Sequence, residues 1–430
     1  MKDSRRSFLK LTGMVGMGMV SHPMLNAGPV DPSGEPAWDV GSYPSTGDSG
    51  EGLNLIGPYG PWASGLRQQE LPLHSFRRPE WTDLDEWRKV AAERLKERMG
   101  IPALGPTPAV TVHKQYEYDG LQIEELSWQL PYGRPTEAIV LKPADAKGAL
   151  PGILAFHDHG GNKYFGKRKI TKTADQQHEM MKSHQAHYYE GMAWANEIAK
   201  RGYVVMVNDA FPFASRRVML QDVPERQRLG LHDADPENSS QIEAYNKWAA
   251  NHEHIMAKSL FSAGTTWPGV FLAEDQAALD VLCAREDVDA ERVGCGGLSG
   301  GGMRTVFMGG LDPRIKCAVC VGFMTTWDDF ILHKSFTHTW MTYVPLSPKE
   351  LDFPEIFGLR APLPTMVLND IDDILYTMPE MEKADGILRA VFDKAGASDR
   401  YQCNFHPGPH KFDRKMQSEA FDWFDKWLKA

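Results

Sequence analysis

The stretch GGLSGGGMRT (296–305) decides the fold. It follows RVGCGG (292–297), which reads as a buried strand, and it opens a helical pattern. A turn that tight between strand and helix has no room for bulky side chains two residues either side of its centre, which explains Gly297 and Gly301. Gly-x-Ser-x-Gly in this setting lifts the hydroxyl of Ser299 clear of the sheet and aims the following amide, that of Gly300, at a substrate oxygen. A glycine-rich turn with a chance serine is the bland alternative. A dinucleotide-binding loop fails on spacing, because after Gly294 and Gly296 the third glycine would have to fall at Ser299.

Outward from the turn, strand-like and helix-like segments alternate. VTVHKQYEY (111–118, roughly), LQIEELSWQL (121–130) and TEAIVLKP (136–143) read as early strands. GILAFHDHGG (152–161) is apolar until its terminal glycines, as a central strand should be. Helical patterns at 192–202 and 273–286 lead to strands at 203–211 and 292–297. RIKCAVCVGF and LPTMVLN (363–369) supply two more strands, and a closing helix begins near Met416. The implied class is α/β, a mainly parallel central sheet with helices on both faces. Thr82-Asp83-Leu84-Asp85 opens an amphipathic helix that Gly100 and Pro102 stop. Residues 28–76 are rich in Gly, Pro and Ser, and residues 162–190 and 212–268 are long and polar. They read as an N-terminal extension and two lid-like insertions. The domain expectation is an export signal over 1–27, an arm and helix packing on the core over 28–110, and a catalytic domain over 111–430.

A serine nucleophile needs a base and an acid. His410 in FHPGPHKF (405–412) follows an apolar strand and precedes the last helix; His406, on the strand itself, is its competitor. The acid should lie between Ser299 and His410, where Asp370, Asp372 and Asp373 follow TMVLN. Asp373 stands four residues past Asn369 and before the apolar Ile374-Leu375. Neighbouring side chains on an extended loop diverge, so one of the three can reach His410. The order Ser, Asp, His separates this chain from the chymotrypsin and subtilisin arrangements. The second oxyanion amide is expected from HDHGG (157–161), given by Asp158 or His159, with the rings of His157 and His159 merely holding the loop. His178, His184, His187, His252 and His254 read as surface residues, and His338-Thr339-Trp340 as a pocket lining or a packed aromatic loop. No HExxH and no paired Cys/His spacing is present, so no metal and no cofactor are expected.

The 430 residues are 42% hydrophobic and 24% charged, an ordinary globular composition, and the net charge is −10. No sustained Lys/Arg tract follows the first ten residues, which argues against a nucleic-acid or anionic-membrane partner and for a small-molecule or neutral-polymer substrate. SRRSFLK (4–10) before the apolar Leu11–Val20 run resembles a twin-arginine signal, with a periplasmic or extracellular destination. That run is too short to cross a bilayer, which needs about 20 residues, so no stable membrane insertion is expected after signal removal. Five cysteines make no disulfide framework in a chain this long. Cys317 and Cys320 sit in one apolar strand with their side chains on opposite faces.

EWTDLDEWRK (80–89), FHDHGGNKYFGK (156–167), AKRGYVVMVNDAF, VDAERVGCGGLSGGGMRT, LDPRIKCAVCVGFMTTW and GPHKFDRKMQSEAFDWF together resemble the acetyl-xylan-esterase-like α/β-hydrolases, a branch related to dienelactone hydrolases. The resemblance implies the α/β-hydrolase fold and a serine esterase acting on short acyl groups, with an acylated carbohydrate as the expected substrate, often exported and tied to polysaccharide breakdown. Dienelactone hydrolases proper use a cysteine where Ser299 stands here. A second departure is Asn369-Asp370, where the family often has Asn-Gly. Hydrolysis of other esters, lactones or amides would use the same triad, and a silent binding protein on the same scaffold is the reading of a different class.

Overall fold

A computed structural model describes residues 54–66 and 71–429. The expected signal and most of the arm lie outside the described residues. The core is one nine-stranded sheet in the order β1-β2-β3-β5-β4-β6-β7-β8-β9. The strands are β1 (Val110–Tyr118), β2 (Leu121–Trp128), β3 (Thr136–Pro143), β4 (Leu150–Phe156), β5 (Val204–Asn208), β6 (Val288–Leu298), β7 (Ile315–Val321), β8 (Thr365–Asp370) and β9 (Tyr401–His406). The pairs β1–β2, β2–β3 and β3–β5 are antiparallel and the rest are parallel.

Alternation along the parallel strands builds a core on each face. Leu154, Phe156, Val204 and Met206 point into one hydrophobic cluster, while Ile153, Ala155, Val205 and Val207 point into the other. Cys320 belongs to the first and Cys317 to the second, so the two thiols are on opposite faces of β7 and both are free. The first face is covered by α1 (Leu84–Met99), α5 (Trp267–Cys283), α6 (Gly300–Leu311) and α7 (Met378–Lys394); the second by α3 (Trp194–Lys200) and α8 (Arg414–Leu428). Helix α1 begins where its sequence says it should. Asp83 caps it by accepting the Glu86 amide at 2.8 Å, and Gly100 ends it at φ +58.

The insertions are not the loops their polarity suggests. Residues 162–190 contain α2 (Glu179–Tyr189), and residues 212–268 contain α4 (Ser239–Ser262), a helix of 24 residues capped by Asn238. Tyr164, Phe165, Met181, Leu220, Ile242, Tyr245 and Trp248 pack together as a third, separate cluster. The insertions thus carry a core of their own. Among the described residues no helix is long and apolar enough to cross a membrane.

Candidate active site

Strand order reverses about β4, which has β5 on one side and β6 on the other. In open α/β sheets that switch point leaves a crevice at the carboxyl ends of the strands. Four chain segments meet there: 157–161 after β4, Ser299 after β6, 370–376 at and beyond the end of β8, and 407–411 after β9.

Ser299 sits at φ +59, ψ −116, strained for a residue with a side chain. Its amide donates to Val321 O at 2.8 Å, which ties the turn to the end of β7. The flanking glycines are there because backbone fills the space. A Cβ on Gly297 would lie 2.3 Å from Phe156 O, and one on Gly301 2.5 Å from the same oxygen. Helix α6 therefore starts against the strand that carries the 157–161 loop, and Ser299 stands at its N-terminus.

His410 and Asp373 are a made pair, with Nδ1–H donating to Asp373 Oδ2 at 2.6 Å. Asp373 is buried and its other oxygen accepts the Leu375 amide at 2.9 Å. The imidazole lies over Gly322, whose missing Cβ would be 2.9 Å from His410 Cε1; Gly322 directly follows the β7 end that holds Ser299. Burial pushes the His410 pKa down, but the Asp373 charge and hydrogen bond outweigh it and the net shift is upward. Among the described residues no hydrogen bond joins the Ser299 hydroxyl to His410, a contact that commonly tightens only with substrate bound. His406 accepts no catalytic position: it is buried on β9 and contacts Glu419 at 3.1 Å.

The other two aspartates of the acid loop hold the histidine loop. Asp372 Oδ2 accepts the Gly408 amide at 2.9 Å and Asp370 Oδ2 accepts the Lys411 amide at 3.1 Å. Of the apolar pair that follows Asp373, Ile374 is exposed and Leu375 half-buried, and Tyr376 is the residue that goes inside.

Of the two expected oxyanion donors, the structure brings His159 to Gly300: a Cβ on Gly300 would lie 3.0 Å from His159 N. Asp158 turns its side chain inward, where it takes hydrogen bonds from His184 Nε2 (3.1 Å) and from the Tyr189 hydroxyl. His184 is thus buried, which corrects its reading as a surface residue; the helical spacing of Met181, His184 and Gln185 was the signal for it. Lys169 clamps the loop from behind, donating to Asp158 O (2.9 Å) and His159 O (2.8 Å). His157 Nδ1–H donates to Asp158 O at 2.9 Å while Nε2 accepts the Ala210 amide at 3.2 Å, so the ring is neutral; burial pushes its pKa down to about 3. His338 packs in an aromatic group, 4.2 Å from the Phe330 centroid and 5.0 Å from Tyr376, whereas the Trp340 side chain is 41% exposed. Tyr188, edge-on to His410 at 6.3 Å, was not legible as a site residue.

Sheet topology and the position of the serine turn define an α/β-hydrolase. No family model matches the chain. It is 26% identical over 344 residues, 78% of its length, to "Putative hydrolase YtaP" of Bacillus subtilis (strain 168), and covers 99% of that protein. Among solved structures it resembles a "putative acetyl xylan esterase" of Bacteroides fragilis (TM-score 0.59, 18% identity, 82% of this chain and 83% of that one). It also resembles a glucuronoyl esterase of Solibacter usitatus (TM-score 0.56, 14% identity, 83% and 97%). A methylesterase aligns at TM-score 0.53 and 17% identity, over 87% of this chain and 69% of that one. The fold anticipated from the sequence is the observed one, and these three solved structures of like fold are named as esterases.

Proposed function

We propose that this protein is an exported serine carboxylesterase that removes acetyl or other short acyl groups from carbohydrate. The reading rests on the 2.6 Å Asp373–His410 hydrogen bond beside the strained Ser299 turn. His410 Nδ1 carries the proton given to Asp373, so Nε2 is left with a lone pair to take the Ser299 proton. Ser299 Oγ attacks the ester carbonyl carbon, and the Gly300 and His159 amides receive the negative charge that develops on its oxygen. The imidazolium, stabilised by Asp373, returns its proton to the leaving alcohol oxygen. Water then repeats the sequence on the acyl-serine, giving carboxylic acid and free enzyme.

Carbohydrate as the alcohol is supported by the name of the acetyl xylan esterase of like fold, and a carbohydrate-bearing ester more broadly by that of the glucuronoyl esterase, whose sugar supplies the acyl part. Export by the twin-arginine route, to the periplasm or beyond, is supported by Arg5-Arg6 ahead of a short apolar run. Replacing both arginines by lysine should leave precursor in the cytoplasm, and unchanged export would remove that part of the proposal. For the chemistry, acetylated xylo-oligosaccharides are offered to wild type and Ser299→Ala. Acetate release by wild type, and a fall to background in the variant, is the predicted result; release from neither acetylated sugars nor p-nitrophenyl acetate would refute it.

A further inference from the structure

Glu253 is a charged residue on the buried face of the insertion helix α4, 5% exposed, with four donors around one carboxylate. Oε1 meets His159 Nε2 at 3.0 Å and Lys163 Nζ at 2.5 Å. Oε2 accepts the Thr339 hydroxyl at 2.7 Å and the Trp340 amide at 3.1 Å. One side chain therefore joins the insertion helix, the loop beside Ser299 and the segment bearing the exposed Trp340. On the other side of the His159 ring, Nδ1 accepts the Gly161 amide at 3.1 Å. An acceptor nitrogen carries no proton, so Nε2 carries it and donates to Glu253. Both ring nitrogens are committed, which fixes the rotation of the side chain whose own backbone amide faces Gly300.

We infer that Glu253 is a positioning residue for the oxyanion amide of His159, holding that loop and the 339–340 segment in register through a carboxylate that only accepts hydrogen bonds. The inference rests on the proposed acyl-transfer role of Ser299. Burial alone would push the Glu253 carboxyl up, but the Lys163 charge and the His159 hydrogen bond hold it below the usual carboxylate range. Burial and the Lys163 charge lower the His159 pKa, in keeping with a neutral ring that has one proton to give. A glutamine at 253 has one acceptor oxygen and one NH2 group. Whichever way it turns, NH2 faces donors: Lys163 and His159 on one side, or Thr339 and the Trp340 amide on the other. The carboxylate is thus required by the donor count as well as by shape.

The test is Glu253→Gln, read as kcat and KM on p-nitrophenyl acetate and as the dissociation constant of a trifluoromethyl ketone, which forms a tetrahedral adduct on the serine. A misplaced oxyanion amide should lower kcat and weaken ketone binding together, each by roughly ten- to a hundredfold. KM should stay within about twofold, because the ground-state ester uses that amide little. A merely structural loss would lower the number of active sites while leaving ketone affinity per site unchanged, and that result overturns the inference. Should the variant not fold, 15N spectra of wild-type histidines decide: His159 protonated on Nε2 supports the inference and protonation on Nδ1 overturns it. Turnover that survives Ser299→Ala would sink the underlying reading as well. Loss of turnover in Ser299→Ala with Glu253→Gln unchanged would sink this inference alone.

Discussion

Asp372 faces the Gly408 amide, Asp370 the Lys411 amide and Asp373 the His410 ring, so three carboxylates secure one loop by three different contacts. Only the third reaches a group that can move a proton. Asp373→Asn should keep the fold and lower kcat by about 10⁴-fold, because the amide favours the wrong imidazole tautomer. Asp372→Asn retains an acceptor for Gly408 and should change kcat by less than about tenfold; the reverse ranking would displace the acid by one residue. The raised His410 pKa sets the acid limb of the rate profile. In the proposed mechanism neutral imidazole is the base, so kcat/KM should fall as pH drops through a midpoint above 6.5, the ordinary histidine value. In Asp373→Asn the residual activity should show that limb at lower pH. Asp370 gives a separate test. Burial pushes its carboxyl from the ordinary 3.8 up to about 7. The unfolded chain releases this proton at lower pH than the folded one, so the stabilisation is complete below the unfolded value and is lost as pH rises through about 7. Asp370→Asn keeps an acceptor for Lys411 and removes the titration. Urea unfolding at about pH 5 and about pH 8 should therefore show a smaller stability loss in the variant than in wild type; equal losses would contradict the assignment.

Among the elements, the turn from β6 into α6 was the most legible, because its glycines answer a steric demand that can be read without a structure. Gly301 meets Phe156 O, so Gly301→Ala must push α6 away from β4. It should cost on the order of 1–3 kcal/mol and displace Ser299 from the 157–161 loop. Thermal unfolding and kcat are the measurements, and an alanine variant as stable and active as wild type would refute the steric account. The acid and base loops were legible for a similar reason: each follows an apolar strand, and their order along the chain limits the choice. Helix α4 was missed although its signal was present. Ile242, Tyr245, Ala249 and Ala257 recur at helical spacing, but many polar residues between them hide the stripe. Glu253 falls on that stripe, and a carboxylate on an apolar face was the available clue that it has buried partners. His184 was misread in the same way. What periodicity does not supply is which distant segment faces which, so neither Asp158–His184 nor Glu253–His159 could be paired from spacing.

At the scale of the whole molecule, the sheet supplies the strand ends and the insertions supply the wall around them. Helix α4 divides its apolar residues between two cores: Ile242, Tyr245, Trp248 and Ala249 pack in the third cluster with Tyr164, Phe165 and Leu220, whereas Ala257 with Met256, Leu260 and Phe261 joins the main core. On the proposed short-acyl function, hydrolysis should be fastest for acetate among p-nitrophenyl esters and fall with chain length. Octanoate turned over faster than acetate would contradict that function. On the proposed mechanism Ser299 becomes acylated, with His410 and Asp373 as its base and orienting acid. Rapid mixing with p-nitrophenyl acetate, followed by acid quench and peptide mass analysis, tests it most directly. The predicted result is acetyl on the peptide containing Ser299, with its formation slowed by orders of magnitude in Asp373→Asn. Turnover without any acetyl on Ser299, or acetyl carried by a different residue, would contradict it.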